Sequence, residues 1–181
     1  TSSVYPHELL LNGSTLIVLS YEEGGYAPAG SADDAYPAFG SSRTIVTTVD
    51  LSDPAAPRIV GSVRLEGSYV SARMIGDTVR MVLQTDPPGL LQTHPTSGTM
   101  AAEDEAEERN RQLIQESTID DWVPHVQELG ADGRAVSTEQ LVPCDQISRP
   151  RDPAGLSTLS VLTFDIGSGT PAQTGPAVAP V

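Results

Sequence analysis

The chain has 181 residues and a mass of 19.0 kDa, enough for one ordinary domain. Ten Arg and no Lys stand against 24 acidic residues, a formal net charge of −14, so nucleic acid and anionic lipid would repel it and drop out as partners. Hydrophobic residues make up 38%, and no apolar stretch reaches the roughly 18 positions of a membrane-spanning helix, so a packed core is the expectation.

One cysteine, Cys144, cannot staple the chain to itself, which removes a disulfide scaffold and a Cys-rich zinc site. The sequence begins at Thr1 with no basic segment leading into an apolar one, and it reads as processed or excised from something longer. Gly and Pro, 16 and 15 in number, punctuate short β-branched runs, a pattern of many turns and short strands.

Residues 8–21 (E-L-L-L-N-G-S-T-L-I-V-L-S-Y) hold two apolar runs split by Asn12-Gly13, a hairpin signal. Residues 22–42 carry no period of 2 or 3.6 and read as a surface loop. Thr44–Asp50 is β-branched at almost every position, and the turn S-D-P-A-A-P joins it to Arg58–Leu65. Tyr69–Ile75 and Thr78–Gln84 alternate polar and apolar residues about Gly76-Asp77, a second hairpin. Four strand-like runs thus lie between Thr44 and Gln84, the length of one propeller blade.

The pattern breaks at Asp86-Pro87-Pro88, and an insertion is expected over about 86–151. It contains the one convincing helix, about 101–116, with Ala102, Ala106, Arg109 or Asn110, Leu113 and Ile114 on one face and Glu103, Asp104, Glu105, Glu107 and Glu108 near its start. Thr118-x-x-Asp121 resembles a capping box that opens a short turn carrying Trp122 before Pro124 stops it. Trp122 is expected to anchor the segment on its own sheet, and 130–155 reads as turn-rich. Half the net charge sits between Ala101 and Glu128.

The β pattern resumes at Ser157–Ile166. Thr44–Val63 laid on Leu159–Val178 matches Val46 with Val161, Thr48 with Thr163, Asp50 with Asp165, Leu51 with Ile166 and Val63 with Val178, a spacing of 115 residues. A blade repeat interrupted by the insertion accounts for that spacing. The expected fold class is all-β, antiparallel propeller-type blades with one acidic helical insertion, as a single partial domain over 1–181.

The strings T-V-D-L-S-D-P-A-A-P-R-I-V-G-S (Thr48–Ser62), Y-V-S-A-R-M-I-G-D-T-V-R-M-V-L (Tyr69–Leu83), N-R-Q-L-I-Q-E-S-T-I-D-D-W-V-P (Asn110–Pro124) and L-V-P-C-D (Leu141–Asp145) carry a family likeness. The chain resembles secreted bacterial proteins, of actinobacterial type, that carry a C-terminal β-propeller domain. That resemblance implies an exported envelope protein, often a lipoprotein, with a propeller several times longer than this chain and no established activity. It supplies no catalytic residues, and it makes the chain a fragment of about two blades.

The chemistry-bearing residues form no signature. No G-x-S-x-G elbow occurs. His7, His94 and His125 lie far apart beside prolines or loops and read as surface histidines rather than metal ligands. Asp33-Asp34, Asp120-Asp121 and the acidic helix contain no calcium-loop spacing and read as solvated carboxylates. Asp50 and Asp165 end matching strands, where a carboxylate sets the following turn. Cys144 reads as half of an inter-segment disulfide, a small buried hydrophobe or a nucleophile without a nearby His. Asn12-Gly13-Ser14 fits a glycosylation sequon, but that pattern is common by chance and the Asn-Gly turn already explains it, so it is discounted.

No catalytic, cofactor or metal residue is assigned, and the chain is expected not to be an enzyme. The functional expectation is a binding or scaffolding module at the cell envelope that recognises an extracellular protein or polysaccharide through residues 22–42 and the insertion. The alternative is an accessory or gating propeller of a secreted hydrolase whose catalytic domain lies elsewhere. Open strand edges would in addition invite pairing with a second copy.

Overall fold

The computed structural model describes residues 4–22, 42–86, 95, 97–148, 150–152, 155, 157–166 and 177–178. Most of the expected 22–42 loop, His94 and Asp33-Asp34 lie outside these residues. Among the described residues, eleven strands and one α-helix follow in chain order: β1 (Val4–Asn12), β2 (Thr15–Glu22), β3 (Arg43–Asp50), β4 (Arg58–Glu66), β5 (Ser68–Ile75), β6 (Thr78–Thr85), α1 (Met100–Glu116), β7 (His125–Leu129), β8 (Ala135–Gln140), β9 (Ile147–Ser148), β10 (Thr158–Asp165) and β11 (Ala177–Val178).

They build two sheets, ordered β1-β2-β3-β4-β7-β8 and β5-β6-β10-β11-β9, antiparallel except where β11 meets β9. The four runs from Thr44 to Gln84 are therefore not one blade. The chain changes sheet at Gly67, the one residue between β4 and β5. Each repeat is instead a four-stranded meander: β1-β2-β3-β4 in the first, and β5-β6-β10-β11 in the second, with the insertion between β6 and β10.

Three features recur in both meanders. The loops Gly13-Ser14 and Gly76-Asp77 join β1 to β2 and β5 to β6, with φ of 58° and 60° at their glycines, the first central position of a two-residue hairpin turn. Asn12 thus ends β1 rather than forming the turn, and its side-chain amide donates to Asp77 and to the Gly76 carbonyl. A bulge inserts His7 in β1 and Val70 in β5, again 63 residues apart. Finally, the Leu51 N–H donates to the Ser14 carbonyl (2.7 Å), and the Ile166 N–H to the Asp77 carbonyl (2.8 Å).

The third strands follow the expected spacing of 115, so Asp50 faces Thr15 as Asp165 faces Thr78. On the fourth strand Val46 pairs with Val63, whereas Leu159 pairs with Val178, a slip of two residues that leaves each residue on its face. The repeat in the sequence is a repeat in the structure.

The sheets enclose one core in which Ile17, Leu19, Val46, Val63 and Leu65 of the first meet Ala72, Val79, Met81, Leu83, Leu162 and Phe164 of the second. Matching positions take opposite roles there. Ile17 is buried and its match Arg80 is exposed; Leu9 is exposed and Ala72 is buried; Val46 is buried and Val161 only half so; Val49 is half-buried and Phe164 is buried. The first sheet thus turns toward the second the face that the second turns away. A two-fold sandwich would bury matching residues together, whereas stacking by rotation in one sense buries alternate ones.

The helix expected over about 101–116 is α1, and the insertion also contains strands that were not expected. α1 starts on Thr99, whose hydroxyl accepts the Ala102 N–H (3.3 Å), and it buries Ala106. Thr99→Ala is expected to cost about 1 kcal/mol and lower helical ellipticity, read by circular dichroism against urea. The Thr118 N–H and hydroxyl both donate to Asp121 (2.7 and 2.8 Å) and hold its carboxyl below the usual range.

Trp122 is half-buried outside the core cluster, with its indole N–H on the Ser117 hydroxyl (2.8 Å), so it ties the turn to the end of α1 rather than to a sheet. The insertion residues buried in the core are Leu141 and Val142, with Val126 and Ile147 half-buried against it. Within the stretch read as turns, β8 pairs with β7, which begins just before it, and the hairpin extends the edge of the first sheet beyond β4.

Candidate ligand-binding cleft between the sheets

A cleft of about 430 Å³ opens where the start of β5 passes β1, β2 and β3. Its lining combines rings and charges: His7, Tyr21, Glu22, Arg43 and Tyr69, with Leu19 and the serines 20, 42 and 68 between them. The bulge turns His7 against Tyr69, edge to face with centroids 5.0 Å apart. Tyr5 stacks on Tyr21 at 5.0 Å and 23° between planes, which steadies that ring.

Glu22 is 5% exposed and accepts from Arg64 at Nε (2.7 Å) and Nη2 (3.3 Å), a two-pronged pair that neutralises a buried carboxylate. Arg43 lies 3.9 Å from the same carboxylate and is more exposed, so its guanidinium keeps donors for a ligand. The Tyr69 hydroxyl donates to Glu8. Burial first, and that bond second, push the Tyr69 phenol up to about 12.

The folded state thus holds a proton that an unfolded tyrosine releases near its ordinary value of 10. Its stabilising effect is complete below about pH 10 and is lost as pH rises toward about 12. Ultraviolet titration should show a tyrosine ionising near pH 12, a step that Tyr69→Phe abolishes.

A second polar cluster joins the insertion to the first sheet. Glu66 accepts the backbone N–H of His125 (2.8 Å) and faces its Nδ1 (3.2 Å), while Asp120 lies 3.4 Å from Nε2 and accepts from Gln140 (2.8 Å). Gln140 and then His125 hold Asp120 below its ordinary range. His125 is therefore a half-buried strand residue clasped by two carboxylates, not the surface histidine its neighbours suggested.

His7 is the other histidine the structure places, and it lines the cleft. Cys144 is exposed, with its thiol 3.6 Å from the Gln140 side-chain oxygen, so it is not a buried hydrophobe. Asp50 sets its turn as expected: the Ser52 N–H (2.8 Å) and hydroxyl (3.1 Å) donate to it and lower its pKa. Among the described residues, no group of three or more His, Cys, Asp or Glu is placed to hold a metal ion, and no helix is long and apolar enough to cross a membrane.

The sequence pattern of one family, described as "Beta propeller domain", matches residues 1–179. The chain belongs to the β-propeller domain family. Its two meanders have the four-stranded antiparallel form of propeller blades, and the opposite burial of their matching residues is consistent with radial repetition. No curated protein and no solved structure matches the chain. The cleft residues come from β1, β2, β3 and β5, with Ser42 just before β3. No motif spacing announced them, and the visible signal was only the crowding of Tyr5, His7, Glu8, Tyr21 and Glu22 at the open ends of one hairpin.

Proposed function

We propose that this propeller is a non-catalytic binding module, working outside the cytoplasm or at the cell envelope, whose interblade cleft grips a segment of polysaccharide. The observation that carries the reading is the lining of the cleft. Tyr21 and Tyr69 supply ring faces suited to the apolar side of a sugar, while Arg43 and Glu22 supply donors and acceptors for its hydroxyls. The likeness of Thr48–Ser62 to exported propeller proteins supports the location.

The test is a glycan array followed by calorimetry on the best binder. Tyr21→Ala and Arg43→Ala should each weaken binding by about 2 kcal/mol, while Arg111→Ala on the remote face of α1 should leave it unchanged. Absence of any glycan binder, or equal binding by all three variants, would overturn the reading.

A further inference from the structure

Asn12 ends β1 where the first meander touches the second turn to turn. Its side-chain amide donates to the Asp77 carboxylate and to the Gly76 carbonyl (3.5 Å), so a neutral amide supplies the protons that the opposite turn accepts. Both turns are pinned from behind, Ser14 by the Leu51 N–H (2.7 Å) and Asp77 by the Ile166 N–H (2.8 Å), which keeps them facing each other.

The residue after Asn12 makes that amide chemically vulnerable. Gly13 has no side chain to shield its backbone nitrogen, nothing lies within 4 Å of where a Cβ would stand, and the turn is exposed. Asn110, the other asparagine of the chain, instead precedes Arg111 inside α1, where a bulky neighbour and a helical backbone oppose the same reaction.

We propose that Asn12 is a site of spontaneous modification, hydrolysed to aspartate or isoaspartate, and that the new carboxylate unfastens one turn from the other. The Gly13 nitrogen gives its proton to solvent base and attacks the Asn12 side-chain carbonyl carbon. The Cγ–Nδ2 bond breaks, Nδ2 takes up a proton and leaves as ammonia, and a cyclic imide remains. Water opens the imide at either carbonyl, so the sum is one water consumed and one ammonia released.

The contact between the turns governs both halves of this event. Ring closure needs the Asn12 side chain to rotate, and its bonds to Asp77 and Gly76 oppose that rotation, so hydrolysis waits on local opening. Once a carboxylate replaces the amide, it has no proton to donate and faces the Asp77 carboxylate at hydrogen-bond range. The change is therefore one-way: an opening that ends in hydrolysis is kept.

Incubation of the 181-residue chain in mildly alkaline buffer, followed by peptide mapping and an isoaspartyl methyltransferase assay, tests the modification. Asn12 should convert while Asn110 does not, and Asp77→Ala should speed conversion at least about threefold by removing the acceptor. Urea unfolding reads the consequence. Asn12→Asp should lower the folding equilibrium constant about tenfold, and Asn12→Asp combined with Asp77→Asn, which exchanges donor and acceptor, should recover most of that loss. If Asn12→Asp fails to fold, circular dichroism of the double variant decides, with recovered folding in support and none against. An Asn12 that survives as long as Asn110 overturns the proposal. So do an unchanged rate in Asp77→Ala, wild-type stability in Asn12→Asp, or a double variant no more stable than Asn12→Asp.

Discussion

Gly67→Ala should destabilise the protein by about 2–4 kcal/mol, seen as a lower urea midpoint. Gly67 alone carries the chain from β4 in one blade to β5 in the other, at a φ of 126° that L side chains rarely adopt. A Cβ there would lie 2.7 Å from the Thr85 hydroxyl and 3.0 Å from the Gln84 carbonyl oxygen, and the latter is backbone that cannot step aside. The surroundings are fixed as well. The Gly67 N–H donates to Ser42 (2.8 Å), its carbonyl accepts from Thr44 (2.9 Å), and Thr85 donates to Glu66 (3.1 Å). Gly98→Ala, where nothing lies within 4 Å, is the matched control and should leave the midpoint in place. Equal midpoints for the two variants would mean that the crossing between blades is looser than described.

Arg64→Ala should cost about 3 kcal/mol, because it strands the Glu22 carboxylate in a site that is 5% exposed. Arg43, at 3.9 Å, compensates only in part. The larger part of that cost is the unpaired charge rather than the pair itself. Glu22→Gln combined with Arg64→Met should therefore be more stable than Arg64→Ala alone, a coupling that a double-mutant cycle reads directly. On α1, Arg111 bonds Glu107 and Glu108 in the open, and Arg111→Ala should cost only about 0.5 kcal/mol. If the two arginine variants lose equal stability, Glu22 is not buried as described.

What the sequence revealed was local. Alternation about Gly76-Asp77 marked β5 and β6, the β-branched run at Thr44–Asp50 marked β3, and the acidic start with later arginines marked α1. Matching Asp50 to Asp165 found the third strand of each blade across the insertion. The partition into sheets was hidden, because alternation specifies a strand and a face but not a partner. Four consecutive runs therefore looked like one blade, although Gly67 sends two of them into each. Strands β7 and β8 stayed hidden for another reason: five of the six β8 residues are exposed, so their sequence carries little apolar alternation. The cleft was out of reach, since Glu22 and Arg64 lie 42 residues apart and meet only when β2, β3 and β4 are in register.

The central claim is that two matching blades stack by rotation in one sense, so that positions 63 residues apart face opposite ways. Cysteine accessibility in dilute protein tests it most directly, with Cys144 first replaced by Ser because its thiol is exposed. The account predicts rapid thiol labelling of Leu9→Cys and Arg80→Cys, and protection of their matches Ala72→Cys and Ile17→Cys until the protein unfolds. Labelling in the same phase at both members of either pair would contradict it, because the blades would then face each other as a symmetric sandwich.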